Sequence, residues 1–282
     1  NSMDQFADIR SSGKIAMKLE GSDALIGVNL CSDKDDIMLS TKNGKCIRFP
    51  VEALRIFQSR NSTGVRGIKL EEGNEVMAMS ILHHAKEEAE IKDKYLSIEL
   101  EERLALREAL RFNQKLKENP TEDLLAQPMP VPQIKGSELS QEVIEKMAIA
   151  EEFIFTITEN GYGKRSSAYE YRITNRGGSG ITNIITSKRN GDVVASFPIE
   201  GNDQVMIITD KGTLIRTEIK SVRITGRNTQ GVTLIKAKDE AVVSVARIAH
   251  SGNKEVDEAE VGEENPSDEA GVGVASEASS AE

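Results

Sequence analysis

The sequence predicts an all-β protein of repeated, propeller-type blades with about four strands each, interrupted by one helical insertion and followed by an acidic tail. The first observation is a loop written three times: RNSTG at 60–64, RGGSG at 176–180 and RNTQG at 227–231. The second is its spacing. Gly180 and Gly231 lie 51 residues apart, as do Gly13 and Gly64, while Gly64 to Gly180 spans 116, one period plus 65 residues. The third is an upstream glycine in each unit, Gly44, Gly161 and Gly212, standing 19 or 20 residues before Gly64, Gly180 and Gly231. A catalytic loop is usually built once, so a loop in register over three units marks a structural repeat.

The elements follow in order. RSSGKIAMKL, near the start, reads as the second half of a unit whose first half lies outside this chain. DDIMLSTKNGKCIRF, EFIFTITENGYGKRS and QVMIITDKGTLIRTE each hold two short runs rich in Ile, Val, Thr and Phe around a turn. Asn43-Gly44 and Asn160-Gly161 are tight-hairpin signals. After each closing glycine come VRGIKL, ITNIIT or VTLIKA, then EVMAMSIL, DVVASFPI or AVVSVARI, completing four predicted strands per unit. Strands packed on both faces are expected to lose apolar–polar alternation, with QVMIIT as the example. The closing glycines are expected to supply positive φ or close backbone approach at the strand change.

The extra 65 residues are of another kind. Residues 85–119 are rich in Glu, Lys, Leu and Ala and free of Gly and Pro, which predicts helix ended by Asn119-Pro120. QPMPVPQ is an extended connector, and Ser140 is placed to cap a second helix over about 141–151. The organisation read from sequence is therefore 1–84, a partial blade plus one blade; 85–152, a mainly helical insertion; 153–250, two further blades; and 251–282, an acidic tail expected to be disordered. The insertion reads either as a helical excursion packed on a blade or as a contact for another segment or partner. The tail reads either as a solvated terminus or as tethered acid competing for basic sites.

Charge is unevenly distributed. Within the total of −10, the tail carries −9 and the insertion −6, which leaves the repeat units at +5. Arg48, Arg165 and Arg216 each stand four residues after the hairpin glycine, and Arg60, Arg176 and Arg227 four before the closing one. Around an axis such positions are expected to form a basic rim for the phosphates of double-stranded DNA, with Lys45, Lys164 and Lys211 beside the turns. With only seven Phe and four Tyr, stacking on single strands is disfavoured. No nucleophile–base set, metal spacing or phosphate loop is visible, so neither an enzyme nor a metal or cofactor site is expected. His83 and His84 are adjacent and point to opposite sides of a strand. Cys31 and Cys46, both in predicted strands, are expected to be buried reduced thiols of a cytoplasmic protein. No apolar run approaches the roughly 20 residues that span a bilayer, and no signal peptide is seen.

NSTGVRGIKLEEGNEV, ITENGYGKRSSAYEY, DQVMIITDKGTLIRT and ITGRNTQGVTLIKAKDEAVVSVARI closely resemble the C-terminal domain of DNA gyrase A subunits, over about 6–84 and 153–249. The resemblance implies a β-pinwheel, a propeller-like ring around whose basic rim DNA wraps so that an ATP-dependent type II topoisomerase can introduce negative supercoils. It also implies that this chain is a fragment, that its partners are the remainder of the gyrase A protein and the gyrase B protein, and that ATP and Mg belong to the holoenzyme. Localisation would be cytoplasmic and nucleoid-associated. The family's first blade carries a Gln-Arg-Arg-Gly-Gly-Lys-Gly heptapeptide. TNRGGSG at 174–180 keeps only Arg176, Gly177, Gly178 and Gly180 of it, at the ordinary repeat-loop position. The insertion resembles one in alphaproteobacterial gyrase A subunits. Rival readings are the topoisomerase IV homologue and a protein-interaction propeller with no DNA role.

Overall fold

The computed structural model describes residues 1–8, 11–58, 60–85, 87–118, 127–236 and 239–249. The predicted hairpins form where the turn chemistry placed them. β1 (Asp35–Thr41) and β2 (Lys45–Pro50) pair antiparallel across Asn43-Gly44, and β3 (Val76–His83) returns along the other edge of β1. The insertion folds as α1 (Ala89–Leu96), α2 (Leu100–Glu118) and α3 (Gln141–Ala150). The second hairpin is β4 (Phe153–Thr158) with β5 (Tyr162–Ser167); β6 (Ile181–Thr182) and β7 (Val193–Ile199) follow. The third is β8 (Gln204–Thr209) with β9 (Leu214–Glu218), followed by β10 (Val232–Thr233) and β11 (Val242–Ile248).

The fourth strand of a blade does not come from its own unit, contrary to the sequence reading. The sheets run β3-β1-β2-β6, β10-β5-β4-β7 and β11-β8-β9. The stretch after Gly180 crosses back to the preceding blade, where Ile181 pairs with Cys46 and Thr182 with Lys45. After Gly231, Val232 pairs with Gly163 and Thr233 with Tyr162. Among the described residues of ITNIIT and VTLIKA these two-residue pieces are the strand, and VRGIKL contains none. Gly180 must be glycine for this crossing, because its φ is 75° and a Cβ there would stand 2.4 Å from the Cys46 carbonyl oxygen. The other five turn glycines, at 44, 64, 161, 212 and 231, also have positive φ. Among the described residues of 1–32, a 3-10 turn at Met3–Phe6 is the one regular element.

Successive residues of β4 feed two different cores. Phe155 and Ile157 join Val205, Ile207, Ile219 and Val222 of the third blade, while Ile154 joins Met38, Cys46 and Leu82 of the first. All six β4 residues are buried, so the loss of alternation expected for a blade strand occurs there; QVMIIT in β8 alternates instead. Between the cores a buried polar set is mutually satisfied. The Tyr171 hydroxyl donates to Asn183 Oδ1 at 2.7 Å, and Asn183 Nδ2 donates to Thr156 and Ser196, each at 3.2 Å.

The helices form a core of their own. Tyr95, Ile98, Leu106, Ile144, Met147 and Ala148 close around Tyr169, which arrives from the 3-10 turn after β5. Ser140 caps α3 through the Val143 N–H as expected. The single helix read over 85–119 is broken at 97–99, where Ser97 Oγ bonds the Lys94 carbonyl at 2.7 Å and Arg103 Nε bonds the Ile98 carbonyl at 3.2 Å. Tyr95, Ile98 and Leu106 face one core across this break. Buried charge ties it shut, with Arg103 Nη1 to Glu151 Oε1 at 2.6 Å and the Tyr95 hydroxyl to Glu151 Oε2 at 2.9 Å. The Asn119-Pro120 stop and the tail 251–282 lie outside the described residues.

Candidate nucleic-acid interface

The registered arginines divide by what they touch. Arg48, on β2, is 3% exposed. Its guanidinium bonds Asp36 at 2.8 Å, the Ala168 carbonyl at 2.8 Å and the His83 carbonyl at 2.8 Å. Ala168 belongs to the next blade, so Arg48 is an inter-blade clamp and the rim assignment is corrected: its donors are spent on buried acceptors. Arg165 repeats the arrangement one blade on, half-buried, with Nε on the Val222 carbonyl at 2.8 Å and Nη2 on that of Lys220 at 3.4 Å. Burial, then the neighbouring Arg107 charge, pushes its pKa down to about 10. The backbone of both positions joins the clamp: Thr174 N–H donates to the Arg48 carbonyl, and Thr225 N–H to that of Arg165, each at 2.8 Å.

Lys164 is corrected as well. It is 0% exposed and donates to the Gly226 and Arg227 carbonyls at 2.8 and 2.7 Å. Burial lowers its pKa to about 7, partly offset by Glu170 and Cys46. A neutral amine has the two N–H groups those carbonyls require.

The loop arginines reach backward by one unit. Arg60 Nη1 donates to the Ile15 carbonyl at 3.0 Å, Arg176 to that of Arg66 at 3.2 Å, and Arg227 to that of Thr182 at 3.1 Å. Each keeps further donors and partial or full exposure. Lys45 pairs with Glu71, and Arg216, exposed, bonds the Gln204 side chain. Lys211 is exposed beside Gly212.

Two registered sets escaped the sequence reading. Arg55, Arg172 and Arg223 each stand eleven residues after the hairpin glycine, and all three are exposed. Arg55 lies over the Phe57 ring at 4.5 Å; Arg172 and Arg223 have no side-chain acceptor among the described residues. Lys18, Lys69 and Lys236 each stand five after the closing glycine and are exposed. The signal was present as register alone, but equal register marked the clamps too; only solvent access separates them. Cys46 is buried, and burial raises its thiol pKa to about 12, whereas Cys31 is exposed outside any strand, correcting that expectation. Among the described residues no group of three or more His, Cys, Asp and Glu could hold a metal ion, and no helix is long and apolar enough to cross a membrane.

Blades that exchange an edge strand and present repeated cations define a propeller-like repeat module of the β-pinwheel kind. Residues 2–32, 35–83, 152–200 and 203–249 match the family described as DNA gyrase C-terminal domain, beta-propeller, and the chain belongs to that family. It is 46% identical over 260 residues to the DNA gyrase A protein of Rickettsia bellii, covering 92% of this chain and 27% of that protein. The gyrase A protein of Granulibacter bethesdensis is 44% identical over 250 residues (87% and 26%), and that of Escherichia coli 33% over 252 (89% and 21%). The chain thus spans about a quarter of the length of these relatives. Among solved structures, the C-terminal domain of DNA topoisomerase IV superposes with a TM-score of 0.55 at 15% identity, covering 82% of this chain and 52% of that one, a likeness of fold.

Proposed function

We propose that this chain binds double-stranded DNA through its phosphates and bends it around the blades, serving a type II topoisomerase that uses ATP and Mg to introduce negative supercoils. On this reading it performs no bond chemistry itself. Its partners are the duplex, the remainder of a gyrase A protein and the gyrase B protein, in the bacterial cytoplasm at the nucleoid. The observation that carries the reading is the exposed registered set Arg55, Arg172 and Arg223, supported by Lys18, Lys69 and Lys236, on units that are net positive within an acidic chain. Cations repeated blade by blade suit a ligand with a repeated charge, and phosphate contacts gain affinity by counterion release without reading sequence. Arg60, Arg176, Arg216, Arg227, Lys45 and Lys211 contribute more weakly, since most already hold an internal acceptor. Bending a few tens of base pairs costs several kcal/mol, so many such contacts are needed.

The test is binding of the chain to a labelled duplex of about 40 base pairs across a salt series. Affinity should fall steeply with salt and be indifferent to sequence. Replacing Arg55, Arg172 and Arg223 together by Gln should lower the salt slope by about 3, near one per lost phosphate contact. An unchanged slope, or a change in sequence preference, would overturn this assignment. No binding at low salt would favour a protein-interaction propeller.

A further inference from the structure

The insertion makes a cleft that the repeat units alone would not have. α2 lies against the strand ends of the second and third blades, enclosing about 660 Å³. Six cations line it, Arg107, Arg111 and Lys115 from α2 and Arg165, Lys220 and Arg247 from the blades, against three carboxylates, Glu108, Glu200 and Asp203. Two of those carboxylates are already engaged: Glu200 takes Arg107 at 3.0 Å and also Arg111, and Asp203 takes Arg247 at 2.7 Å. Lys115 and Lys220, both exposed, have no side-chain partner among the described residues.

Arg107 is the unusual group. It is 8% exposed, its guanidinium lies 5.3 Å from the centre of the Phe153 ring, and its Nε is the one buried side-chain polar atom among the described residues without a hydrogen-bond partner. Glu200 takes Arg107 through Nη2 and leaves Nε as an orphaned donor, in a cleft whose cations outnumber its carboxylates six to three, and such a place stabilises an anion. The cleft also has apolar wall: Leu104, Phe153 and Phe112 line it, and Phe112 is 38% exposed on the cationic face of α2. Its volume is in the range of small-molecule sites and far too small for a duplex.

We propose that this cleft binds a free nucleotide of the nucleoside di- or triphosphate class, with its phosphates among Lys115, Lys220 and the arginines and its base against Phe112. Charge selects the phosphates, and an exposed aromatic beside them selects a flat ring over a bare phosphate chain. The site is separate from the duplex-binding set, since Arg55, Arg172 and Arg223 do not line it.

The experiment is calorimetric titration of the whole chain with ADP, pyrophosphate and adenosine. ADP should bind, and Lys115→Glu with Lys220→Glu, both at exposed positions, should weaken it by at least tenfold. Phe112→Ala should weaken ADP by roughly tenfold while leaving pyrophosphate unchanged. Absence of ADP binding at millimolar concentration, or binding indifferent to the lysine pair, would overturn the site. Equal affinity for ADP and pyrophosphate, with no effect of Phe112→Ala, would overturn the nucleotide assignment. Displacement of ADP by a short single-stranded oligonucleotide at matched nucleotide concentration would transfer the site from a free nucleotide to an unpaired strand. Duplex binding, read separately, should not change with the Phe112 variant.

Discussion

The second and third blades are built from equivalent sequence and differ in surroundings. In the second, β5 receives β10 along its outer edge, β4 is buried throughout, and Arg165 is clamped to the 3-10 turn of the next unit. In the third, β9 has no strand on its outer edge among the described residues, Leu214 is 56% exposed, and Arg216 lies in solvent on Gln204. The same hairpin glycine feels the contrast. A Cβ on Gly161 would come within 2.6 Å of the Ile235 carbonyl oxygen, whereas one on Gly212 would meet nothing within 4 Å. A blade strand is therefore buried by its neighbour, and a repeated residue takes its role from whether the next unit stands against it.

That contrast can be broken most forcefully at the strand arginines. Arg48→Met should cost about 3–5 kcal/mol, because it leaves Asp36 buried without its guanidinium. Arg216→Met, at the equivalent place, should stay within about 0.5 kcal/mol. Urea melts of the two variants measure the difference; equal losses would mean that the open blade is as tightly clamped as the closed ones.

The hairpin glycines give the next effect. Gly161→Ala combines a left-handed backbone with a close carbonyl and should cost about 2–4 kcal/mol. Gly212→Ala meets only the backbone term, about 1–2 kcal/mol. Chemical denaturation should rank them in that order, and the reverse ranking would sink the account of strand exchange.

A third effect is a pH dependence that originates in the second blade. The folded pKa of Lys164 is depressed to about 7, below its unfolded value, so between about 7 and 10 the unfolded chain binds the extra proton and stability rises with pH. Below about 7 both states hold the proton and the cost of burying the charge is fully present. The melting temperature should therefore climb from pH 6 to pH 9. Lys164→Met, less stable at the high end for loss of two hydrogen bonds, should flatten that climb. A wild-type curve that falls over this range would contradict the buried neutral amine.

Much of this was legible in one dimension. The 51-residue period, the Asn-Gly hairpins and the glycine register follow from steric rules that act within a few residues, and they located the three hairpins and the inserted helices. The Ser140 cap was equally local. Three features were not legible. The helix break at 97–99 has no Gly or Pro to announce it; it is held by Ser97 Oγ on the Lys94 carbonyl and Arg103 Nε on the Ile98 carbonyl, contacts that the residue types alone do not dictate. The donation of β6 and β10 to the preceding blade looks, in sequence, the same as a strand returning to its own. The identical register of Arg48, Arg55 and Arg60 with their counterparts could not say which guanidinium meets a carbonyl and which meets water.

What the sequence by itself determined, then, is the repeat: where each hairpin turns, which stretch is helical, and which residue types recur at which offsets. Only the tertiary structure decided which recurring cations clamp blades together and which face solvent. Backbone propensity and turn sterics are properties of neighbours along the chain, whereas burial and hydrogen-bond satisfaction depend on the element packed alongside. Arg165 and Arg216 share an offset, and one is held by the next unit while the other lies in solvent.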